Sequence, residues 1–464
     1  MFDLSRIVKA YDVRGTVPDQ LNEAVAEALG AAFTQTLRAG GDFADGARIV
    51  VAHDMRDSSP PLSAAFIGGA RRAGADVVAA GLGSTDLLYY ASGSLNVPGA
   101  MFTASHNPAR YNGIKMCRAG ARPIGQDTGL VDIRVRAQQI LDGALEIGDG
   151  AGRVTERDLL TEYAAHLRTL VDLSKIRPLK VVVDAGNGMG GYTVPAVLGD
   201  AKLDPLPLEI IALYFELDGS FPNHEANPLE PANLVDLQKA VRQHDADLGI
   251  AFDGDADRCF VVDERGEAVS PSTVTAMVAV RELAKHPGST VIHNLITSHA
   301  VPEIVAEYGG KPVRTRVGHS FIKAEMARTN AVFGGEHSAH YYFRDFWYAD
   351  TGMLAAMHVL AALGEQDGPL SALADRYVRY ADSGEINSTV ADQVAKTAAV
   401  KAEFAAVDGV RFDTLDGLTI ELPDGSWANL RPSNTEPLLR LNVEAPTRER
   451  MCQLRDQVLA IVRG

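Results

Sequence analysis

The segment DADLGIAFDGDADRCFVVDERG, residues 245–266, places an apolar run on each side of an acidic loop. Each run is short and bounded by polar residues, which predicts two strands joined by that loop. Ala/Leu-rich amphipathic stretches alternate with runs of this kind along most of the chain. Such alternation is typical of an α/β fold in which most neighbouring strands are parallel.

The first part of the chain shows this alternation clearly. ARIVVAH (47–53) predicts a strand, and PLSAAFIGGARRAGA (61–75) predicts a helix. DVVAAG (76–81) and GAMFTAS (99–105) predict two further strands. The order strand, helix, strand indicates a unit with parallel pairing.

Similar openings occur twice more, at PLKVVVDAGNGMGG (178–191) and GSTVIHNLITS (288–298). Residues 371–464 differ, because the DG turn at Asp424-Gly425 indicates antiparallel strands and the last residues indicate a closing helix. We therefore predict three related mixed α/β domains followed by a smaller α+β C-terminal domain. Their predicted ranges are 1–150, 151–258, 259–368 and 369–464.

The composition limits the possible partners. A chain of 464 residues is too long to fold around a single hydrophobic core, and its length suggests roughly three or four domains. Its formal net charge of −16 argues against binding to nucleic acid or to an anionic membrane, since such surfaces are usually basic. A phosphorylated small molecule remains compatible, because a few local Lys and Arg residues can hold one.

Cysteine usage and the N-terminal sequence bear on location. Cys117, Cys259 and Cys452 are far apart, and no CxxC pair occurs, so neither a disulfide framework nor a zinc site is expected. The N-terminal residues meet a charge at Asp3 and lack an apolar stretch of signal-peptide length. No run approaches the ~18 apolar residues of a membrane span. We expect a cytoplasmic protein with no membrane partner.

The loop DGDADR (253–258) is the strongest chemical signal. Asp253, Asp255 and Asp257 alternate with small residues, so an extended loop can turn all three carboxylates toward one centre. Hard oxygen ligands at this spacing suit Mg²⁺ or Mn²⁺. An EF-hand loop would need Gly at its sixth position, where this chain has Arg258. A solvated acidic turn is the alternative, but three crowded carboxylates repel one another without a cation.

The loop in MFTASHNPARYNG (101–113) gathers Ser105, His106 and Asn107 at the end of a predicted strand. Such a serine can be a nucleophile, an N-cap or part of a turn. Lys115 follows closely enough to return to the loop and activate the hydroxyl. The G-x-S-x-G elbow of Ser-His-Asp hydrolases is absent from the sequence.

Two further loops carry alternating or clustered polar groups. In GGEHSAHYYF (334–343), Glu336, Ser338 and His340 fall on one side of an extended loop and suit neighbouring sugar hydroxyls; a half-exposed strand is the alternative. RPSNTEP (431–437) contains a guanidinium, neutral donors and two prolines, which suits the binding of a phosphate. A surface turn capped by proline is the alternative.

Taken in order, five loops resemble those of the α-D-phosphohexomutase family, in particular its phosphomannomutase/phosphoglucomutase branch: YDVRG (11–15), TASHNP, DGDADR, GEHSAH and RPSNTEP. The resemblance implies four domains around a central cleft, with the last one mobile. It also implies a phosphohexomutase that interconverts the 1- and 6-phosphates of mannose and/or glucose. The implied cofactors are Mg²⁺ and a hexose 1,6-bisphosphate, which serves as intermediate and activator.

The resemblance also implies roles for individual residues. The phosphoserine falls on Ser105, which joins Asp253, Asp255 and Asp257 as a metal ligand. Further catalytic positions fall on His106, Lys115, Arg258 and His340. Substrate contacts fall on Tyr11, Arg14, His319, Glu336, Ser338, Arg431, Ser433, Asn434 and Thr435.

Two departures from the family pattern bear on specificity. Ala339 stands where glycine is usual, which is expected to stiffen the sugar loop. Some relatives carry a substrate-contacting Lys near Ile296; here Asn294 or Arg314 is expected to substitute.

Several alternatives stay open at this point. A phosphoglucosamine mutase is disfavoured because that branch tends to carry Gln where this loop has His337. A sugar phosphatase and a non-catalytic sensor are further alternatives. Both His340 and Lys115 are candidates for the general base, and a monomer or weak dimer is expected.

Overall fold

The computed structural model describes residues 3–43, 46–432 and 438–464, and its strands form four separate sheets. Three sheets follow one another along residues 13–350, and residues 381–445 form the fourth. This arrangement confirms the predicted fold class of three mixed α/β units followed by an α+β unit. Over the described ranges, no helix is both long enough and apolar enough to cross a bilayer.

The first unit contains seven strands and four helices among its described residues: β1 (Val13–Thr16), α1 (Glu23–Ala39), β2 (Arg48–His53), α2 (Ser59–Arg72), β3 (Asp76–Leu82), α3 (Thr85–Leu95), β4 (Gly99–Phe102), β5 (Tyr111–Arg118), β6 (Arg122–Pro123), α4 (Leu130–Leu141) and β7 (Val154–Glu156). The strand order is β1-β5-β4-β2-β3-β7, with β6 beside β5. α2 begins before its predicted start because prolines occupy its first turn, where no intrahelical N–H bond is needed. β4 ends at Phe102, so the strand predicted over 99–105 was too long.

The second unit has the strand order β12-β11-β10-β8-β9. Its elements are α5 (Leu160–Leu170), β8 (Leu179–Asp184), α6 (Gly190–Val197), β9 (Leu208–Leu213), α7 (Val235–Gln243), β10 (Leu248–Phe252), β11 (Cys259–Asp263) and β12 (Ala268–Val269). The two runs around the acidic loop are thus the antiparallel strands β10 and β11, with Phe252 paired to Cys259. The exact domain boundaries stay predictions.

The third unit has the strand order β14-β13-β15-β16-β17. Its elements are α8 (Pro271–Lys285), β13 (Thr290–Asn294), α9 (Ala300–Glu307), β14 (Lys311–Thr315), α10 (His319–Thr329), β15 (Phe333–Gly335), β16 (Tyr341–Phe343), β17 (Ala349–Asp350), α11 (Gly352–Gly364) and α12 (Leu370–Ala374).

The three sheets share one connectivity. The first strand of the repeat (β2, β8 or β13) lies between two strands that are both parallel to it. The third strand of the repeat (β4, β10 or β15) then pairs antiparallel with the next strand. This agrees with the repeat predicted from the three similar strand openings. A hairpin loop therefore occupies the same place in each unit: residues 103–110, 253–258 and 336–340.

The C-terminal unit is an antiparallel sheet in the order β18-β23-β22-β21-β20, with β19 beside β23. Its elements are β18 (Ala381–Asp382), β19 (Ile386–Thr389), α13 (Gln393–Phe404), β20 (Arg411–Asp413), β21 (Leu418–Glu421), β22 (Trp427–Pro432), β23 (Leu438–Ala445) and α14 (Arg448–Arg463). The predicted turn at Asp424-Gly425 joins β21 to β22, and Gly425 supplies the positive φ of 84°.

The apolar packing divides the molecule unequally. One continuous core runs through the first three units, from Val50 to Leu373. The C-terminal unit has its own core, centred on residues of β21–β23 and α14. It meets the third unit through Glu444, which accepts the backbone N–H of His299 at 2.9 Å, and through Trp427, which stacks on the His299 ring. The C-terminal unit is thus attached more by polar and aromatic contacts than by a shared core.

Asp86, at the start of α3, joins the first three units. Its buried carboxylate accepts the hydroxyls of Tyr163 on α5 and of Thr351 before α11, each at 2.7 Å. Ser84 also donates to it and begins α3 as the N-cap. Burial raises the pKa of Asp86 to about 6, even though these hydrogen bonds act to lower it.

We expect the contribution of Asp86 to stability to depend on pH. Its pKa rises from 3.8 to about 6 on folding, so the folded state holds the proton more tightly. This contributes about 3 kcal/mol that is fully present below pH 4 and is lost as the pH rises through 6. Relative to the non-titrating Asp86→Asn variant, the wild type should therefore lose several degrees of melting temperature between pH 4 and 7. A difference in melting temperature that stays constant over this range in calorimetry would contradict the assignment.

Candidate active site

The three equivalent hairpin loops meet at one place. Ser105 Oγ donates to Asp253 Oδ2 at 2.8 Å, which joins the first loop to the second. The backbones of Arg258 and His340 form an isolated antiparallel bridge, which joins the second loop to the third. Polar residues that lie far apart in the chain thereby converge on a single site.

Each loop holds one residue in the left-handed backbone region: Ser105 at φ 51°, Ala256 at 60° and Ala339 at 66°. A residue with a Cβ pays roughly 1–2 kcal/mol there, and such strain is concentrated at functional sites. Glycine adopts this φ freely, which gives a physical reason to expect glycine at position 339. Alanine has less freedom there, in line with the expected stiffening of the sugar loop.

Ser105 lies buried against the second loop. Its backbone N–H donates to Thr103 Oγ1 at 2.9 Å, and its side chain faces Asp253. A Cβ at Gly254 would lie 2.4 Å from the carbonyl oxygen of Ser105, so only glycine allows the two loops to approach this closely.

Asp253, Asp255 and Asp257 are almost completely buried, and one oxygen of each lies within 4.8 Å of the others. Burial raises the pKa of Asp253, and burial together with Asp255 raises that of Asp257 to about 7. Burial acts on Asp255 in the same direction, but Lys115 outweighs it and leaves the pKa of Asp255 below its usual value. The arrangement is costly for three negative charges unless a cation shares it.

Two oxygens of this group lack a hydrogen-bond partner in the part of the chain that the structure describes. Asp255 Oδ1 and Asp257 Oδ1 are buried and accept no hydrogen bond from the described residues. Their second oxygens are occupied: Asp255 Oδ2 accepts Thr85 Oγ1 at 2.5 Å and Lys115 Nζ at 2.7 Å, and Lys115 also binds Asp257. The free oxygens and the hard donor set fit a divalent cation such as Mg²⁺ or Mn²⁺.

Two cationic side chains frame the carboxylates. Lys115 lies between Asp255 and Asp257, and these neighbours raise its pKa against the opposing effect of burial. Arg258 binds Asp253 Oδ2 through Nε at 2.9 Å, and its Nη2 lies 3.5 Å from Ser105 Oγ. Arg258 also contacts Nδ1 of His106, and burial followed by Arg258 holds the pKa of that histidine well below its usual value.

The third loop presents the predicted sugar-binding residues. Glu336 is buried and accepts Asn294 Nδ2 at 3.1 Å, the N–H of Gly318 at 3.2 Å and the Tyr342 hydroxyl at 2.7 Å. Ser338 Oγ lies 3.1 Å from His340 Nδ1. His340 Nε2 lies 3.8 Å from Asp257 Oδ1, so this loop borders the carboxylate group directly.

Residues near the N-terminus close the same site from another side. Arg14 donates to Asn107 Oδ1 and to Asp12 Oδ2, both at 2.6 Å, while its buried Nε has no partner among the described residues. The ring of Tyr11 meets that of His319 edge to face at 4.2 Å. Burial and then Lys323 hold the pKa of His319 well below its usual value.

Arg431 lies near the C-terminal end of β22 in the C-terminal unit. Its guanidinium lies 3.4 Å from Glu385 and 3.8 Å from Asp416, and burial lowers its pKa. Asp416 also accepts the N–H of Val317 in the third unit at 3.2 Å. Three further predicted phosphate-binding residues lie outside the described residues: Ser433, Asn434 and Thr435.

Asn294 and Arg314, the two residues expected to substitute for a lysine near Ile296, have different surroundings. Asn294 donates to Glu336 and therefore lies next to a predicted sugar-binding residue. Arg314 instead pairs with Asp413 at 2.7 Å and faces the C-terminal unit.

Sequence reasoning missed several residues of the site. Thr85 binds Asp255 from α3, and Asp350 with Lys323 forms a buried ion pair beside His340. Arg56 contacts the backbone of the Ser105 loop. These residues stand in ordinary surroundings in the sequence, and only the meeting of separate units assigns them to the site.

Family models match the chain in four consecutive segments. Models described as phosphoglucomutase/phosphomannomutase alpha/beta/alpha domains I, II and III match residues 5–139, 161–266 and 271–380. The C-terminal domain model of the same family matches residues 385–461.

Individual proteins match over nearly the whole chain. A phosphomannomutase of Escherichia coli is 40% identical over 442 residues, covering 94% of each chain. A protein named phosphohexose mutases from Xanthomonas campestris pv. campestris is 40% identical over 460 residues, covering 98% of this chain and 99% of its own. The crystal structure of a phosphoglucomutase/phosphomannomutase family protein from Burkholderia thailandensis superposes with a TM-score of 0.87 at 32% identity, covering 100% of this chain and 98% of its own.

The free carboxylate oxygens generate a prediction about metal binding. Replacing Asp255 by Asn removes one negative charge from the group, so affinity for Mn²⁺ should fall roughly 10- to 100-fold in isothermal titration calorimetry. Asp263→Asn is the matched control, because Asp263 is a buried acid at the far end of the same hairpin and pairs with Arg265. Equal Mn²⁺ affinities for the two variants would remove Asp255 from the metal site.

Proposed function

The chain belongs to the phosphoglucomutase/phosphomannomutase family, and from this we propose that it is a phosphohexomutase. It interconverts hexose 1-phosphate and hexose 6-phosphate, with mannose and/or glucose as the sugar. The contact of 2.8 Å between Ser105 and Asp253 carries the proposal, because it places a hydroxyl beside three clustered carboxylates. The names of the two relatives, a phosphomannomutase and a phosphohexose mutase, support the substrate class.

Ser105 carries the phosphoryl group in this proposal. A hydroxyl oxygen of the sugar forms a bond to phosphorus as the bond between phosphorus and Ser105 Oγ breaks, which gives a hexose 1,6-bisphosphate. The bisphosphate then reorients. Ser105 Oγ bonds to the phosphorus of the other phosphate as the bond between that phosphorus and the sugar oxygen breaks, and the sugar oxygen takes a proton back from the base. The bound hexose therefore leaves with its phosphate at the other position, and the enzyme is regenerated.

The surrounding cations neutralise the charge of the transferring group. Phosphoryl transfer depends mainly on positioning and on stabilising charge at the equatorial oxygens. Arg258 lies within 3.5 Å of Ser105 Oγ, and Lys115 stands between two of the carboxylates. Mg²⁺ held by Asp253, Asp255, Asp257 and an oxygen at Ser105 supplies further charge neutralisation when it is bound.

A base must take the proton of the attacking sugar hydroxyl. Lys115 already donates hydrogen bonds to Asp255 and Asp257, so its geometry suits a fixed cation. His340 is half-buried and has its ring between Ser338 and Asp257, on the predicted sugar side. These contacts favour His340 over Lys115 as the base, and we propose that His340 takes the proton.

The existing phosphate of the substrate binds at Arg431 in this proposal. Its guanidinium is mostly buried and lies near two carboxylates. Because the guanidinium has already lost most of its water, a phosphate that binds it need not displace that water. The C-terminal unit has its own core, and its movement over the cleft excludes water from the phosphoserine. The oligomeric state and the cytoplasmic location stay predictions.

A coupled assay tests the proposal directly. Mannose and glucose 1-phosphates should be converted to 6-phosphates, and a 1,6-bisphosphate primer should shorten the lag. Conversion of glucosamine 1-phosphate alone would favour the phosphoglucosamine mutase alternative. Release of inorganic phosphate without conversion would favour a phosphatase. Ser105→Ala should leave at most a few per cent of wild-type turnover, and greater residual conversion would contradict the phosphoserine role.

Phosphate docking at Arg431 has its own test. Arg431→Ala should raise KM for hexose 1-phosphate roughly 10- to 100-fold, since a hydrogen bond to a charged group contributes about 1.5–3 kcal/mol. Arg450→Ala is the control. Arg450 lies on α14 of the same unit and forms an ion pair with Asp424 at 2.6 Å. A KM for Arg431→Ala equal to that of the control would exclude Arg431 from the phosphate site.

A further inference from the structure

Arg56, which lies just after β2, has one of the largest side chains that are fully buried in the described part of the chain. Its guanidinium contacts the backbone of the loop that carries Ser105, while the Ser105 side chain contacts Asp253. The mechanism above gives Arg56 no role. Burying its charge costs free energy, which well-placed partners must offset.

The guanidinium donates to four backbone carbonyls, three in the loop after β4 and one at the first residue of β5. Nη2 donates to the carbonyl oxygens of Ser105 at 2.9 Å and Asn107 at 2.7 Å. Nη1 donates to those of Pro108 and Tyr111, both at 3.0 Å. One planar group therefore fixes the directions of four peptide units, from Ser105 to the first residue of β5.

Neighbouring residues hold the guanidinium itself in place. Asp54 lies 3.3 Å from Arg56 Nε and also accepts the Arg56 backbone N–H at 3.0 Å. Phe221 of the second unit stacks over the guanidinium with its ring centroid at 5.0 Å. A Cβ at Gly219 would lie 2.6 Å from Arg56 Cα, so glycine at 219 permits this contact between the two units.

The equivalent positions in the other two units behave differently. Asn187, the third residue after β8, donates to the carbonyl of Glu216. Thr297, the third residue after β13, donates to Asn294 Oδ1. The guanidinium thus occurs at this position in the unit whose hairpin carries the reactive serine.

We propose that Arg56 is a positioning residue that holds Ser105 in its left-handed conformation and so aims its Oγ at the transferring phosphoryl group. This inference rests on the proposed mutase function. Ser105 has φ 51°, a conformation that a free serine seldom adopts, and the Arg56 hydrogen bonds on both sides of His106 maintain it. Displacement of a reacting atom by about 1 Å lowers turnover roughly 10²-fold.

The test compares Arg56→Lys with a matched control, Arg168→Lys. Arg168 also donates to three backbone carbonyls, those of Val197, Gly199 and Asp204, in the second unit. A lysine keeps the charge at either position but loses the planar fork. Each variant of the full-length enzyme is assayed with Mg²⁺ for kcat and KM with hexose 1-phosphate, for melting temperature, and for amide hydrogen exchange over residues 103–111.

Arg56→Lys should lower kcat at least about tenfold while KM changes less than about threefold, because the phosphate still docks at Arg431. Exchange over 103–111 should accelerate. Arg168→Lys should leave kcat within about twofold of wild type, even if its melting temperature falls equally. Equal kcat values for the two variants, or unchanged exchange in Arg56→Lys, would overturn the proposal.

Asp54→Asn provides a second variant in case Arg56→Lys fails to fold. It keeps Arg56 but loses the ion pair that orients the guanidinium, so kcat should fall several-fold at nearly constant KM. An unchanged kcat would count against the positioning role. If the wild type proves to have no mutase activity, the proposed function fails, while amide exchange over 103–111 still decides the positioning claim because it needs no substrate.

Discussion

Three carboxylates buried in one loop impose the main physical constraint on this protein. Removing each charge from water costs several kcal/mol, which Asp253, Asp255 and Asp257 can recover only from cations and hydrogen-bond donors placed around them. Lys115 and Thr85 come from the first unit, and His340 comes from the third. The first and third units therefore pack around the aspartates of the second unit and supply partners for the charges that the proposed chemistry uses.

One connectivity, used three times, brings the necessary groups together. The hairpin after the third strand of each repeat carries the serine in the first unit, the aspartates in the second and the predicted sugar-binding residues in the third. The shared core fixes these loops relative to one another. The C-terminal unit, which has its own core, carries Arg431 and meets the third unit through Asp416 and Glu444.

Local sequence patterns predicted the fold, and the family resemblance supplied most of the candidate site residues, whose roles stay predictions. The strand on each side of DGDADR and the turn at Asp424-Gly425 follow from neighbouring residues alone. The roles of Arg56 and Thr85 could not be predicted, because each acts on a loop that is distant in sequence. The end of β4 at Phe102 was also missed, because apolar character continues into Ala104 although the backbone has already turned.

The intact mass of the purified protein tests the central claim most directly. After incubation with glucose 1,6-bisphosphate and Mg²⁺, the account predicts a gain of about 80 Da that peptide mapping assigns to Ser105. A mass that never changes, or a phosphoryl group found on another residue, would contradict the view that these loops converge to hold a phosphoserine.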